Sequence, residues 1–252
     1  MILACPPFIK PISTKRPGSH IEMALILYDL AGAESARRFS PYCWRIRLAL
    51  EHKGLPVETI PWRFTDKDVI SFSGQGRVPV LVDSGKAVVG SWEIANHLEK
   101  TNPGRPSLFR GRGGKAFARF MELWADTVLM PGLMPLIILD LFNHLHEKDR
   151  EYFRSSRERK LGMSLEQAGA HRLSRVTEFQ HSIELLRAAL RTQPFLAGDE
   201  PDYGDYIAFS GFMWARSVSP FKVLQNEDPV ALWRKRMLDR FDLARNSPGY
   251  DT

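Results

Sequence analysis

The chain has 252 residues, of which 44% are apolar and 25% charged, and its formal net charge is +6. This composition is typical of a soluble globular chain with one large domain or two of ordinary size. Acidic residues are interspersed among the basic ones, so we expect no nucleic-acid partner and only a weak attraction for a small anionic ligand. The longest apolar stretch, 128–142, contains two prolines, a glycine and an aspartate, so no membrane span is predicted.

The chain contains two cysteines, Cys5 and Cys43. Two cysteines predict no disulfide framework, and nothing around them resembles a metal site, so we expect a reducing, cytoplasmic location and no metal. His144 and His146 lie two positions apart on a predicted helix, hence on different faces, and with no third ligand they are poor metal candidates.

The first half of the chain predicts a small α/β unit. Residues 1–22 are rich in proline and show no periodicity, which indicates an extension outside the fold. The apolar pattern then predicts a strand at 24–28, a helix at 41–53, a strand at 57–62, a short helix within 64–73, a hairpin of 76–83 and 87–89, and a helix at 91–101. Gly54 is placed to end the first helix, and Pro61 favours an edge position for the second strand.

The second half predicts helices. Residues 103–114 are rich in proline, glycine and arginine and have the composition of a linker. The helical pattern then covers 115–129, a kinked continuation to about 146, 165–192, 202–217 and 228–245. The expected domains are therefore an α/β unit at 23–102 and an all-α unit at 115–252. The mixed-charge run 150–160 is interpreted as a solvated face or a contact with a partner subunit.

The stretch 39–45, Phe-Ser-Pro-Tyr-Cys-Trp-Arg, joins a helix start to reactive groups. Ser40 is a preferred N-cap residue, and Pro41 suits the first helical position. Free backbone N–H groups and the positive end of the helix dipole therefore meet beside a hydroxyl and the thiol of Cys43. This arrangement predicts a site for an anion, and a thiolate is one candidate.

Several short motifs occur in order along the chain: Ser-Pro-Tyr-Cys-Trp-Arg at 40–45, His-Lys-Gly at 52–54, Arg-Val-Pro-Val at 77–80, Ser-Trp-Glu-Ile-Ala at 91–95, and Leu-Ala-Gly-Asp-Glu-Pro-Asp-Tyr-Gly-Asp-Tyr at 196–206. From about residue 24 onward the chain resembles a glutathione S-transferase, and it is most similar to the bacterial β-etherases of lignin breakdown and their fungal relatives. The resemblance implies an α/β thioredoxin-like N-terminal domain that binds glutathione, an all-α C-terminal helical bundle, and a homodimer.

The resemblance also implies roles for the two reactive groups. Ser40 would donate a hydrogen bond to the glutathione thiolate; alternatively it only caps the helix, and backbone N–H groups activate the thiol. Cys43 takes the second position of a thioredoxin-like Cys-Pro-Tyr-Cys motif, so it is expected to be buried and inert. A reactive Cys43 would indicate thiol exchange instead.

Further residues would bind glutathione itself. The resemblance implies a cis peptide bond between Val78 and Pro79, with the Val78 backbone pairing with the cysteinyl part of glutathione. Ser91 would bind the γ-glutamyl carboxylate at a helix N-terminus, or would be a routine cap. Gln75 and Arg77 would reach the carboxylates of the tripeptide, or would be solvated loop residues.

Gly90 departs from the family pattern. The family usually has Glu or Asp immediately before the serine, where the carboxylate helps to hold the glutamyl ammonium. Its absence predicts weaker glutathione binding unless another acid takes its place.

The acceptor pocket is expected between the two domains. Candidate contacts for a small aromatic electrophile are Tyr42, Trp44, Trp124, Met130 and Met134. Methionine-rich apolar walls suit a flexible aromatic substrate, with ordinary core packing as the alternative. Asp202 and Asp205, by contrast, start an apolar helix and correspond to the family's folding motif, so their predicted role is structural.

Three functions follow from these residues. The first is a glutathione transferase that acts on an electrophilic aromatic compound, with β-aryl ether cleavage as the specific reaction. The second is a glutathione- or ligand-binding protein with little catalysis, suggested by Gly90. The third is a thiol reductase that uses Cys43.

Overall fold

Four short strands form one mixed sheet in the first half of the chain. The computed structural model describes residues 25–250, so the predicted extension 1–22 lies outside it. Strand β1 (Leu25–Leu30) is parallel to β2 (Val57–Trp62), whereas β3 (Val80–Asp83) is antiparallel to β1 and to β4 (Lys86–Val89). The strand order is β2-β1-β3-β4, which places Pro61 in an edge strand as predicted.

Helices complete the N-terminal domain. α1 (Pro41–His52) connects β1 to β2, a 3₁₀ helix (Lys67–Ser73) follows β2, and α2 (Ser91–Thr101) follows β4. Gly54 has φ 62° directly after the helix cap Lys53, and glycine accepts this left-handed conformation without steric cost. This is the thioredoxin-like arrangement that the sequence predicted.

The second half of the described chain consists of helices and loops. These are α3 (Gly114–Trp124), a π-helical turn (Ala125–Leu129), α4 (Met130–Asn143), α5 (Glu147–Leu161), α6 (Leu165–Ala170), α7 (Arg172–Ser182), α8 (Glu184–Leu190), α9 (Tyr203–Val218), α10 (Pro229–Arg240) and α11 (Asp242–Arg245). Every residue of α9 is buried, so this helix is the centre of the bundle. Together with the sheet domain, the bundle gives the predicted glutathione S-transferase fold.

Three helix predictions need correction. The single helix predicted at 165–192 is three helices, because the backbone leaves helical geometry at Ile183 (φ −101°, ψ 14°) and is distorted at His171 (φ −87°, ψ 0°). The helix predicted at 228–245 breaks at Phe241, where φ is −115° and ψ is 101°. Helix α5 had not been predicted at all, because its sequence is strongly polar and buries only Asp149 and Phe153.

α3, the π-helical turn and α4 form one continuous run of 30 residues, Gly114–Asn143. By length and composition alone this run could cross a membrane, and half of its most apolar stretch is buried inside the protein. It packs against α9, α6 and α7, as a core helix of the bundle does. The predicted kink coincides with the π-helical turn and with Pro131, whose missing N–H removes one helical hydrogen bond.

Candidate active site

A cavity of about 440 Å³ lies where the N-terminus of α1, the segment before β3, and helices α4 and α5 meet. Six of the residues predicted for the site line it: Ser40, Tyr42, Arg77, Val78, Met130 and Met134. The first four belong to the N-terminal domain and the last two to the helical domain. These six residues therefore belong to one cavity, whose walls come from the N-terminal domain and from the helical domain.

Ser40 caps α1 and faces this cavity. Its backbone is extended (φ −65°, ψ 123°), and its Oγ accepts a hydrogen bond from the Cys43 N–H at 3.3 Å. Only 4% of the residue is exposed, yet it belongs to the cavity wall. A hydroxyl that accepts one hydrogen bond still has a proton to donate, so capping and donation to an anion in the cavity are compatible.

Cys43 is fully buried beneath α1. Burial, followed by the charge of neighbouring Asp29, raises the pKa of the Cys43 thiol well above its ordinary value. A thiol with a raised pKa and no exposure is a poor nucleophile. This placement agrees with the interpretation of Cys43 as packing and weighs against a thiol reductase that uses it.

The peptide bond between Val78 and Pro79 is cis. The pairing of β3 with its neighbours begins at Val80, so Val78 precedes the paired part of the strand and lies in the cavity wall. The carbonyl of Pro79 accepts a hydrogen bond from the Gly90 N–H at 3.2 Å, which connects this segment to the start of α2.

The N-cap of α2 differs from the prediction by one residue. Gly90 is the N-cap and makes no side-chain cap, whereas Ser91 is the first residue of the helix and nearly buried. Ser91 lies outside the cavity wall, and its carbonyl accepts a hydrogen bond from the Tyr203 hydroxyl at 3.0 Å. Ser91 is therefore not the cap that the sequence indicated.

The backbone explains why glycine stands at position 90. Gly90 has φ 85° and ψ 141°, a region that costs other residues about 1–3 kcal/mol. No atom lies within 4 Å of the position that a Cβ would take, so conformation and not lack of space favours glycine.

Besides Pro79 and Ser91, three predicted residues do not line the cavity. Trp44 is fully buried, donates from Nε1 to the Arg38 carbonyl at 2.9 Å, and lies two positions beyond Tyr42, so the helix turns it away from the cavity. Trp124 packs partly buried against the core at the end of α3, and Gln75 lies in the loop outside the wall. The prediction of Trp44 and Trp124 as substrate contacts is therefore not supported by their positions.

The main group that the sequence missed comes from α5. Tyr152, Phe153, Arg157 and Lys160 all line the cavity, so the run 150–160 is not simply a solvated face. The signal that identifies this face is the apolar pair at 152 and 153, with Arg157 one helical turn further on. Phe64 meets Phe153 with ring centroids 5.6 Å apart, which links α5 to the N-terminal domain.

Among the described residues that line the cavity, Asp126 is the carboxylate. Its Oδ1 lies 2.9 Å from Nη2 of Arg45, a fully buried side chain that also approaches Glu122 at 3.5 Å. The Arg45 guanidinium carbon lies 4.6 Å from the centre of the Tyr42 ring. Burial, followed by the charge of Asp126, raises the pKa of the Tyr42 hydroxyl. Arg45 therefore links α1 to the helical domain beside the cavity.

Asp202 and Asp205 form the capping box of α9. Asp205 accepts hydrogen bonds from the Leu196 and Ala197 N–H groups at 2.8 and 3.0 Å and from Trp233 Nε1 at 2.9 Å. Desolvation by burial raises the pKa of Asp205 to about 6. All these partners are structural, and neither aspartate lines the cavity.

The two helical histidines have partners of their own. His144 Nε2 lies 3.0 Å from the Tyr250 hydroxyl, and His146 Nδ1 accepts the Lys148 N–H at the start of α5. Within residues 25–250, no group of three or more His, Cys, Asp or Glu side chains is arranged to hold a metal ion.

Two family models match the chain. Residues 39–101 match the glutathione S-transferase N-terminal domain, and residues 116–239 match the glutathione S-transferase C-terminal domain. Glutathione S-transferase Z2 of Arabidopsis thaliana is 30% identical over 109 residues, which cover 41% of this chain and 47% of the relative. The chain thus spans about half the length of that relative. Probable glutathione S-transferase GSTU6 of Oryza sativa is 24% identical over 214 residues, with 78% of this chain and 80% of the relative covered.

Solved structures share the fold. A glutathione S-transferase of Ceriporiopsis subvermispora in complex with glutathione superposes with a TM-score of 0.78 at 22% identity, covering 91% of this chain and all of that chain. Glutathione transferase GSTFuA3 from Phanerochaete chrysosporium gives 0.76 at 24% identity, covering 84% and 95%. At these identities the structures show the fold alone. The two matched domain models, over 39–101 and 116–239, show that this chain belongs to the glutathione S-transferase superfamily.

Proposed function

We propose that this protein is a cytoplasmic glutathione transferase that activates the glutathione thiol and directs it at an electrophilic aromatic compound. The observation that carries the proposal is that Ser40 at the start of α1 and Val78 before β3 line the same cavity as Met130 and Met134. One wall offers hydrogen-bonding groups at a helix N-terminus, and the other offers apolar surface. A reducing cytoplasm keeps glutathione in its thiol form.

In the proposed mechanism, the cysteinyl backbone of glutathione pairs with the N–H and C=O of Val78, and the sulfur lies at the N-terminus of α1. Ser40 donates a hydrogen bond to the sulfur, and the helix dipole favours negative charge there. Both effects lower the pKa of the bound thiol, whose proton passes to solvent. Arg77 is proposed to reach a carboxylate of the tripeptide from the cavity wall, and Gln75 and Ser91, which lie outside that wall, to contact a second carboxylate and the γ-glutamyl end where glutathione extends beyond the cavity.

The thiolate then attacks the electrophilic carbon of the acceptor held against Tyr42 and the two methionines. For a β-aryl ether, attack occurs at the carbon α to a ketone: a C–S bond forms, the C–O bond breaks, and a phenolate leaves with the bonding electrons. Phenolate is a tolerable leaving group because the pKa of a phenol is about 10. The methionine and aromatic walls support an aromatic acceptor of this kind.

The test incubates the purified chain with glutathione and either an activated aryl chloride or a fluorogenic β-aryl ether. We expect conjugation of the aryl chloride above the rate in buffer, and phenol release from the ether if the specific reaction is correct. Calorimetric titration with glutathione accompanies the assay. Binding with no reaction on either acceptor would favour the second candidate, a glutathione-binding protein with little catalysis, which the absence of an acid at Gly90 favours.

We also propose that the protein is a homodimer, as its superfamily membership suggests. Phe120 and Leu123 lie three positions apart on one face of α3 and are 61% and 54% exposed. Large apolar side chains exposed together are typical of an interface. Sedimentation of the wild type and of Leu123→Glu tests this: we expect a dimer that the substitution converts to monomer, and a monomeric wild type would contradict it.

A further inference from the structure

The cavity carries more positive than negative charge. Lys67 and Arg77 line it from the N-terminal domain and Arg157 and Lys160 line it from α5, whereas the carboxylate in the described wall, Asp126, is already ion-paired with Arg45. Positively charged walls around a partly closed cavity concentrate anions. Glutathione is itself an anion, so a second anionic ligand needs a cation of the wall that neither glutathione nor a protein group already occupies.

Lys67 has local partners. Its Nζ donates to the Gly76 carbonyl at 2.6 Å and lies 5.0 and 5.4 Å from the ring centres of Trp62 and Tyr152. It therefore holds the loop before β3 and the aromatic wall together. Arg77 belongs to the same loop and lies next to Val78, on the side proposed for glutathione.

Arg157 has a different environment. Its guanidinium carbon lies 4.9 Å from the centre of the Phe153 ring and 5.7 Å from that of Phe64, and its Nη1 donates to Ser156 Oγ at 3.2 Å. Among residues 25–250, no carboxylate lies within ion-pair distance of it. Burial, and to a lesser degree the charge of Arg77, lowers the pKa of the Arg157 guanidinium. A half-buried cation without a carboxylate partner is stabilised when an anion binds beside it.

Arg154 provides the contrast on the same helix. It forms ion pairs with Glu158 at 2.9 Å and Glu166 at 2.8 Å and takes no part in the cavity wall. The arginine outside the cavity is therefore paired with carboxylates from α5 and α6, whereas Arg157 inside it has no carboxylate partner among the described residues. This difference is the pattern expected if Arg157 receives its anion from a ligand.

We propose that the acceptor taken by this cavity is an anionic aromatic compound, such as an aryl carboxylate, whose ring packs against Phe64 and whose anionic group binds Arg157. The inference rests on the proposed transferase function and adds the charge class of the acceptor. A planar guanidinium stacked on aromatic rings presents its N–H groups in a geometry that matches a carboxylate. Lys160, exposed at the mouth, adds to the field.

The test uses two acceptors that differ in one charge, a chlorodinitrobenzoate and the corresponding chlorodinitrobenzamide. In both, the glutathione sulfur forms a C–S bond at the chlorine-bearing carbon, chloride leaves with the bonding electrons, and the thiol proton goes to solvent. The measured quantity is the ratio of kcat/KM for the benzoate to kcat/KM for the benzamide. The two acceptors differ in intrinsic reactivity, but this difference is the same for every variant and cancels when the ratios of two variants are compared. KM for glutathione is measured alongside.

Arg157→Gln is expected to lower this ratio roughly tenfold or more, because it removes a charge-assisted hydrogen bond to the ligand. Arg157→Lys keeps the charge and should give a ratio between those of the wild type and Arg157→Gln. Arg154→Gln, the matched control, should give the wild-type ratio. An unchanged ratio in Arg157→Gln, or a loss that appears only as a higher KM for glutathione, would overturn the inference.

A binding measurement separates this inference from the transferase proposal. Dinitrobenzoate and dinitrobenzamide, which lack the leaving chloride, are titrated while the fluorescence of cavity tryptophans Trp62 and Trp214 is followed. If the wild type conjugates neither acceptor but binds the benzoate more tightly, and Arg157→Gln loses that preference, the transferase proposal fails and the anion site stands. If the wild type conjugates both acceptors with no binding preference, the transferase proposal stands and the anion site fails.

Discussion

Two helix N-termini in this protein are capped by side-chain oxygens, but one lies beside a cavity and the other in the interior. At the start of α1, the Ser40 hydroxyl accepts one backbone hydrogen bond and borders a cavity. At the start of α9, Asp202 accepts the Gly204 N–H at 2.7 Å, and Asp205 accepts from Leu196, Ala197 and Trp233 in the interior. One cap retains a free proton beside space for a ligand, and the other has its hydrogen-bonding capacity used within the fold.

The comparison indicates that a capping residue can bind a ligand only where the fold leaves one of its hydrogen-bonding groups without a partner. At α9, the Asp205 carboxylate connects the preceding loop, α9 itself and Trp233 of α10, so its loss should affect stability. The α1 cap makes one bond of its own, so its loss should affect the ligand in the cavity more than the fold. Substitutions at the two positions should therefore separate stability from activity.

The largest effect is expected for Asp205→Ala. The substitution leaves the Leu196, Ala197 and Trp233 N–H groups, which are buried or partly buried, without this acceptor, so we expect the free energy of unfolding to fall by roughly 2–4 kcal/mol. Urea unfolding measures this change. The matched control is Asp199→Ala in the exposed part of the preceding loop, which should change stability by less than about 0.5 kcal/mol. Normal stability in Asp205→Ala would show that the capping box is dispensable.

The next effect is expected for Ser40. Because a hydrogen bond to a charged group contributes about 1.5–3 kcal/mol, Ser40→Ala and Ser40→Gly should both lower kcat/KM for conjugation roughly ten- to a hundredfold. Stability separates the two variants: alanine in place of an N-cap serine costs about 1 kcal/mol, and glycine only a few tenths. Ser40→Gly thus removes the hydroxyl and keeps most of the cap. The ultraviolet absorbance of bound thiolate against pH gives the thiol pKa in each variant.

If Ser40→Gly kept wild-type activity and the same thiol pKa, the backbone N–H groups at the helix end would be sufficient for activation. The N-termini of α1 and α9 would then differ only in that a ligand binds at α1, and the capping side chain would serve the fold at both.

The same contrast explains what the sequence could predict. Local signals were enough for the Ser40 cap and the Asp202 capping box, because each depends on neighbours within a few residues, whereas the cis bond at Pro79 was implied by the family resemblance. The cavity wall from α5 depends on contacts such as Phe64 with Phe153, between residues far apart in the chain, and nothing local to 150–160 indicates that partner.

Two errors have a geometric cause. Trp44 was assigned to the pocket because it is close to Ser40 in sequence, but the helical turn directs it into the core, where it is fully buried. The N-cap of α2 is predicted at Ser91 but lies at Gly90, because the positive φ of this glycine, and not a side chain, sets the helix entry.

A smaller effect concerns the pH dependence of the α9 cap. The pKa of Asp205 is raised to about 6, against about 4 in an unfolded chain, so the folded state binds this proton more tightly. Its contribution to stability is then fully present below pH 4 and is lost as the pH rises through 6. The destabilisation by Asp205→Ala should therefore shrink by about 1 kcal/mol between pH 5 and pH 7. An unchanged difference over that range would mean that the N–H donors outweigh desolvation and keep the pKa of Asp205 at or below its ordinary value.

The smallest effect on ligand binding is expected at the third N-terminus, that of α2, which extends the comparison because Gly90 caps it without a side chain. Gly90→Asp and Gly90→Asn have nearly the same size and should both lose about 1–3 kcal/mol of stability, because both must adopt φ near 85°. The aspartate alone supplies a charge for the glutamyl ammonium of glutathione. Since an exposed ion pair contributes about 0.2–1 kcal/mol, KM for glutathione should be lower in Gly90→Asp than in Gly90→Asn by up to about fivefold. Equal KM values in the two variants would indicate that a carboxylate at position 90 does not reach the ammonium, and that another group already holds it.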